Sequence, residues 1–118
     1  MTYGLMISPD GVQTVDFSEQ IHYKELQKVV GGPIEVVHPR RLPEPYVMIC
    51  NEIGRLVDLT VNPVASWFYE TDKHNQPIVG TVVILREEET EEGAELASLK
   101  KGDPQKIADA LERSLEIV

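Results

Sequence analysis

Three polar side chains stand where turn-like stretches interrupt apolar runs: Asn51 and Glu52 after Tyr46-Val47-Met48-Ile49-Cys50, and Asn62 after the run 55–61. Amide and carboxylate groups so placed can present paired donors and acceptors to a ribose, a base edge or a peptide. Turn formation is the plainer account of Asn51, and helix capping of Asn62. Tyr46, Trp67, Phe68 and Tyr69 offer flat faces on which a base could stack. Phe68 fits core packing better, whereas Trp67 and Tyr69 fall on another helical face. Arg40-Arg41, set between prolines, are either an anion clamp or ordinary surface arginines. The candidate ligand-binding residues are therefore Asn51, Glu52, Asn62, Arg40, Arg41, Trp67 and Tyr69.

Catalytic and metal chemistry has no comparable signal. His22, His38 and His74 are scattered, with no H-x-x-x-H or C-x-x-C spacing to supply two neighbouring metal ligands. Cys50 lies inside an apolar run, where a small thiol serves as core filling, and a single cysteine forms no intrachain disulfide. No Ser-His-Asp set suggests itself, and with 20 Asp and Glu in 118 residues no carboxylate pair is informative. Gly31-Gly32 follows a helical pattern instead of opening one, so it reads as a helix stop and not as a phosphate loop. The expectation is a protein with no catalytic residues, no metal and no cofactor.

The elements that must position these residues can be read in order. Tyr3–Ile7 and Val12–Phe17 flank Ser8-Pro9-Asp10-Gly11 and predict a β-hairpin, with Val15 and Phe17 facing the core. Ser18 is the expected N-cap of a helix over 19–30, which Gly31-Gly32-Pro33 ends. Ile34–Val37 predicts a strand, and His38–Pro45, with three prolines, an exposed loop. Tyr46–Cys50 and the run 55–61 predict a second hairpin around 51–54. Asn62-Pro63 opens a short helix, 71–76 is a polar loop, and Ile78–Leu85 is the strongest strand pattern.

Beyond Leu85, Glu87, Glu88, Glu89, Glu91, Glu92 and Glu95 crowd a short stretch, and like charges at this density predict a solvated linker. Asp103-Pro104 then starts a last amphipathic helix with Ile107, Ala108, Leu111, Leu115 and Val118 on one face. The expected organisation is a core over 1–86, an acidic linker over 87–102 and a C-terminal helix over 103–118. The fold class is α+β, a mostly antiparallel sheet with two or three helices packed on one side.

Composition narrows the setting. The net charge of −9 repels nucleic-acid phosphates and anionic membranes, so no direct nucleic-acid binding is expected. Arg40-Arg41 and Lys100-Lys101 remain local basic spots that could hold a small anion. No apolar run approaches the roughly 18 residues that span a bilayer. The expected compartment is the reducing bacterial cytoplasm. The apolar stripe of the last helix is long enough to pair across a two-fold axis, and a homo-oligomer is expected.

The order G-G-P-I-E-V at 31–36, N-E-I-G-R-L at 51–56, Asn62 after an apolar run and Gly80-Thr81 in a late strand resembles the phage- and plasmid-borne family called domain of unknown function 3846. The resemblance covers roughly the first three-quarters of the chain and leaves out the Glu-rich segment and last helix. It implies an accessory role such as countering host defence. The leading expectation is a small non-enzymatic protein that sequesters a nucleotide-type signalling ligand or blocks a host defence protein. The alternatives are an acidic mimic of nucleic acid that occupies a basic groove of a host protein, and a small enzyme.

Overall fold

In the two central strands, consecutive side chains are buried on opposite faces. Val82 and Ile84 join one apolar cluster and Val83 and Leu85 the other; Tyr46, Met48 and Cys50 likewise oppose Val47 and Ile49. A strand buried on both faces needs a layer on each side. The computed structural model, which describes residues 1–54, 56, 59–70 and 77–116, supplies both layers.

The strands are β1 (Thr2–Ser8), β2 (Gly11–Phe17), β3 (Ile34–Val37), β4 (Tyr46–Asn51), β5 (Val82–Thr90) and β6 (Gly93–Ala97). The helices are α1 (Tyr23–Val30), α2 (Pro63–Phe68) and α3 (Asp103–Glu116). The sheet runs β2-β1-β5-β4-β3, with β6 paired to the outer part of β5, and every pairing is antiparallel. This is an α+β fold. No helix among the described residues is long and apolar enough to cross a membrane.

The helices do not share one side. Leu26 and Val30 of α1 pack with Val47, Ile49, Val83 and Leu85, while Ala65 and Phe68 of α2 and Ile107 of α3 pack on the opposite cluster. The physical reason is the unbroken apolar run of β4 and β5, which leaves no sheet face for solvent. Val15 and Phe17 do turn toward a core, the one beneath α1. On α3 the buried apolar residues are Ile107 and Ala110, not Ala108, and Leu115 is half exposed.

Local chemistry accounts for most boundaries. Helix α1 begins at Tyr23 because Glu25 ties down the preceding loop: its Oε1 accepts from the Ser18 amide (2.9 Å) and hydroxyl (2.8 Å), and its Oε2 from the His22 amide (3.0 Å). These bonds hold the Glu25 carboxyl below its ordinary pKa, the His22 amide contributing most. Gly31 ends α1 in the left-handed region at φ 83°, its amide donating to Gln27 O. Strand β5 begins at Val82, later than expected, because Gly80 turns the chain at φ 77°. A Cβ there would come within 2.7 Å of Leu59 Cδ1.

Three further expectations change. The run 55–61 lies partly outside the described residues; of those described, Leu56 is in an exposed turn and Val61 forms a lone bridge with Val79. The partners of β4 are instead β3 and β5. The loop expected at 71–76, like Val118, lies outside the described residues. The loop 38–45 buries Pro39 and Leu42, and 87–97, expected as linker, belongs to the β5–β6 hairpin.

Candidate functional site

The seven residues singled out by sequence do not form one site. Asn62 is fully buried and its amide is used up internally: Oδ1 accepts from Ala65 N–H (3.1 Å), and Nδ2 donates to Ile7 O and Gly80 O (2.9 Å each). It caps α2 and ties that helix to β1 and to the entry of β5. Asn51 is also buried, donating from Nδ2 to Val30 O (3.1 Å) and accepting from Ile53 N–H at Oδ1 (2.9 Å). That pair of bonds joins the turn after β4 to the end of α1.

Asn51, exposed Glu52 and Tyr69 do meet, around a cavity of about 120 Å³ shared with Glu35 and Cys50. Drug-sized ligands occupy roughly 300–1,000 Å³, and this space is smaller. Among the described residues, its charged lining residues are Glu35 and Glu52. Burial, and secondarily Glu35, pushes the Cys50 thiol up to about 12, which leaves it inert at neutral pH.

Arg41 and Trp67 belong to a different arrangement. The Arg41 guanidinium lies 3.8 Å from the Trp67 ring centroid, and its Nη1 donates to Trp67 O (3.0 Å). Trp67 Nε1 donates in turn to Ser114 Oγ (2.8 Å). The stack therefore joins the 38–45 loop, the end of α2 and the last turns of α3. Arg40 beside it is exposed.

The feature that the sequence reading missed is the acidic hairpin. Strands β5 and β6 pair from Arg86↔Ala97 to Thr90↔Gly93, which sets Glu88 directly opposite Glu95. The turn is closed by Thr90, whose Oγ1 accepts from Glu92 N–H (3.1 Å) and donates to Gly93 O (2.8 Å), with Gly93 at φ 109°. Like charges placed directly across a ladder destabilise it, so the charge is held up against local cost. Thr90-Glu91-Glu92-Gly93 was the available turn signal, and Leu96 the apolar residue that returns the second strand to the core.

Basic side chains gather at the root of this hairpin. His38 Nε2 lies 3.0 Å from Glu87 Oε1; Arg86 Nε and Lys100 Nζ lie 3.6 and 3.9 Å from Glu88 Oε1. Glu89, Glu91, Glu92 and Glu95 have no ion-pair partner among the described residues and are exposed. Beneath the root, buried Asp103 accepts from Tyr46 Oη (2.6 Å), Lys100 N–H (2.7 Å) and Arg86 Nη1 (3.1 Å). Burial raises the Asp103 pKa, but those three donors outweigh it and hold the carboxyl below its usual range. Burial and the same carboxylate push the Tyr46 phenol up to about 12. The network locks α3 and the hairpin to the sheet.

A groove of about 570 Å³ runs between β6 and α1. Ile21, Leu26, Ile34 and Leu96 supply its apolar surface and pack on the cluster beneath α1, and Tyr23 adds an exposed ring. Among the described residues, its only charged lining residues are Glu19 and Glu95, on different segments. Hairpin and groove together can attract and seat a cationic group that carries an apolar stem. Among the described residues no group of three His, Cys, Asp or Glu is placed to hold a metal ion.

No curated protein and no solved structure matches the chain. The family model described as a domain of unknown function, DUF3846, matches residues 1–112. The match thus includes the acidic hairpin and most of α3, which sequence reading had left outside the resemblance. The sheet, the hairpin and the start of α3 that anchors it all fall within that span, and the chain belongs to the DUF3846 family.

Proposed function

We propose that this protein is a non-enzymatic accessory protein, of the kind carried by phages and plasmids, that binds a basic surface of a host protein where nucleic acid would otherwise lie. The observation that carries the reading is the β5–β6 hairpin: four glutamates without cationic partners among the described residues, on a ribbon whose root is clamped by Asp103. Exposed charge of one sign steers encounter with an oppositely charged partner and excludes like-charged ones. The neighbouring groove, with Glu19 and Glu95 as its charged residues, suits a lysine or arginine side chain of that partner. The same charge pattern disfavours a nucleotide-type ligand, whose phosphates would meet carboxylates in both this groove and the cavity at Asn51.

The test is capture from bacterial extract on wild-type protein and on a variant carrying Glu89→Gln, Glu91→Gln, Glu92→Gln and Glu95→Gln, with duplex DNA as competitor. The expected result is a partner held by the wild type, displaced by DNA and lost from the variant. A partner held equally by both proteins would overturn the reading. So would a large thermal shift with a cyclic or linear nucleotide but no DNA-competed partner.

A further inference from the structure

Three described strands have an open side, and they are protected unequally. Strand β3 has four residues, carries Glu35 and is bracketed by Pro33 and Pro39; β6 has five and carries Glu95. Short length, charge and flanking proline are the usual means of keeping an edge from pairing with another chain. Strand β2 is the longest of the three, and Pro9 lies two residues before it. It runs seven residues, Gly-Val-Gln-Thr-Val-Asp-Phe, in unbroken register against β1 from Phe17↔Thr2 to Gly11↔Ser8, with no bulge and no proline. Its one charge is Asp16, in a chain with 31 Asp, Glu, Lys and Arg, the sum of 20 and 11.

We infer that the β2 edge pairs with the β2 edge of a second copy, antiparallel about a two-fold axis at Thr14, to join two sheets into one. That register pairs the strand about its own central residue. Thr14 meets Thr14, Gln13 meets Val15, Val12 meets Asp16 and Gly11 meets Phe17. All seven residues find a partner, threonine pairs are favourable across a ladder, and the two Asp16 side chains stay about 14 Å apart. Alternate residues of an antiparallel edge strand leave both backbone groups unpaired, and this register satisfies them whichever set points outward.

Shape supports the same occupant. Val12 is 57% exposed and forms an apolar knob on the outer strand. Thr14 and Asp16, on its face of the sheet, border an open hollow of about 610 Å³ that also involves Tyr3, Gly102 and Pro104. Cross-strand neighbours share a face, so Val12 of each copy lies beside Asp16 of the other and at the margin of that hollow. The contact is isologous, with each copy supplying the same knob and the same recess.

Sedimentation equilibrium from micromolar to millimolar concentration tests the inference. The wild type is expected to reach twice its 13.3 kDa chain mass, and to do so more readily at high salt, since each copy carries −9. Thr14→Lys sets two lysines face to face and Val12→Asp sets a carboxylate against Asp16. Each should weaken association at least tenfold. Val12→Lys places a cation against Asp16 and should leave association intact or tighter. The two Val12 variants replace the same exposed side chain, so a folding defect would strike both, whereas the pairing predicts opposite signs. A monomer at every concentration overturns the inference, as does equal weakening by both Val12 variants. A dimer that Thr14→Lys spares and Leu115→Lys abolishes also overturns it and places the contact on α3.

Discussion

The molecule contains two tight hairpins built by the same local chemistry and loaded with opposite surface character. In β1–β2 the Ser8 hydroxyl accepts from Asp10 and Gly11 amides and donates to Gly11 O; in β5–β6 the Thr90 hydroxyl accepts from Glu92 N–H and donates to Gly93 O. Each turn holds two residues between its closing pair, Ser8↔Gly11 and Thr90↔Gly93. One ribbon presents a nearly uncharged edge, the other a row of glutamates. A hydroxyl-closed turn fixes the ribbon and leaves the strand surface free to be chosen, so the difference between the two surfaces reports on use and not on folding.

The comparison rests on the acidic ribbon being held rigidly, and its anchor is the most direct place to break it. Asp103→Ala leaves Arg86 largely buried without its carboxylate, and removal of one partner from such a pair costs about 3–5 kcal/mol. Chemical denaturation should register that loss, and hydrogen exchange should rise at the hairpin root while the β1–β2 turn keeps its protection. Asn62→Ala, which strips three buried bonds that join α2, β1 and the entry to β5, is expected to cost about 2–3 kcal/mol. It should leave the acidic ribbon's charge, and hence partner capture, unchanged at temperatures where the protein stays folded.

Acid should act on the two ribbons differently. The Asp103 carboxyl is held below its unfolded value of about 3.9. Its stabilising contribution is therefore full above that value and is lost as pH falls through the lowered one. Asp103→Asn should therefore lose less stability than the wild type as pH falls below about 4, since it keeps only the acid-sensitive contributions the two proteins share, such as that of Glu25. The smallest effect sharpens the charge contrast: Glu95→Thr, which replaces the carboxylate facing Glu88, should raise stability by a few tenths to about 1 kcal/mol. The same change should lower capture of a basic partner.

Features specified by neighbours in sequence were legible. Ser8-Pro9-Asp10-Gly11 marked the first turn, Gly31-Gly32-Pro33 the end of α1 and Asn62-Pro63 the start of α2, because turns and caps are bonds between residues a few positions apart. What sequence reading missed was decided by distant contacts. The Glu-rich segment looked like a linker because its local charge density is unfavourable for a strand; Arg86, Lys100 and Leu96, tied to other elements, make it one. The placement of helices on both faces is written in the apolar runs of β4 and β5, whose successive side chains must be covered on opposite sides of the sheet. The candidate site was least legible. Asn51 and Asn62 were correctly suspected as turn and cap residues, but their buried amides serve the fold, and the exposed glutamates carry the surface character.

Whether the acidic ribbon is the binding element is decided by titrating the captured partner with wild-type protein and with the four-glutamine variant at positions 89, 91, 92 and 95 over a range of salt. The account predicts wild-type affinity that falls steeply as salt rises, and a variant at least tenfold weaker at low salt with a shallow dependence. Equal affinities with equal salt dependence would contradict it.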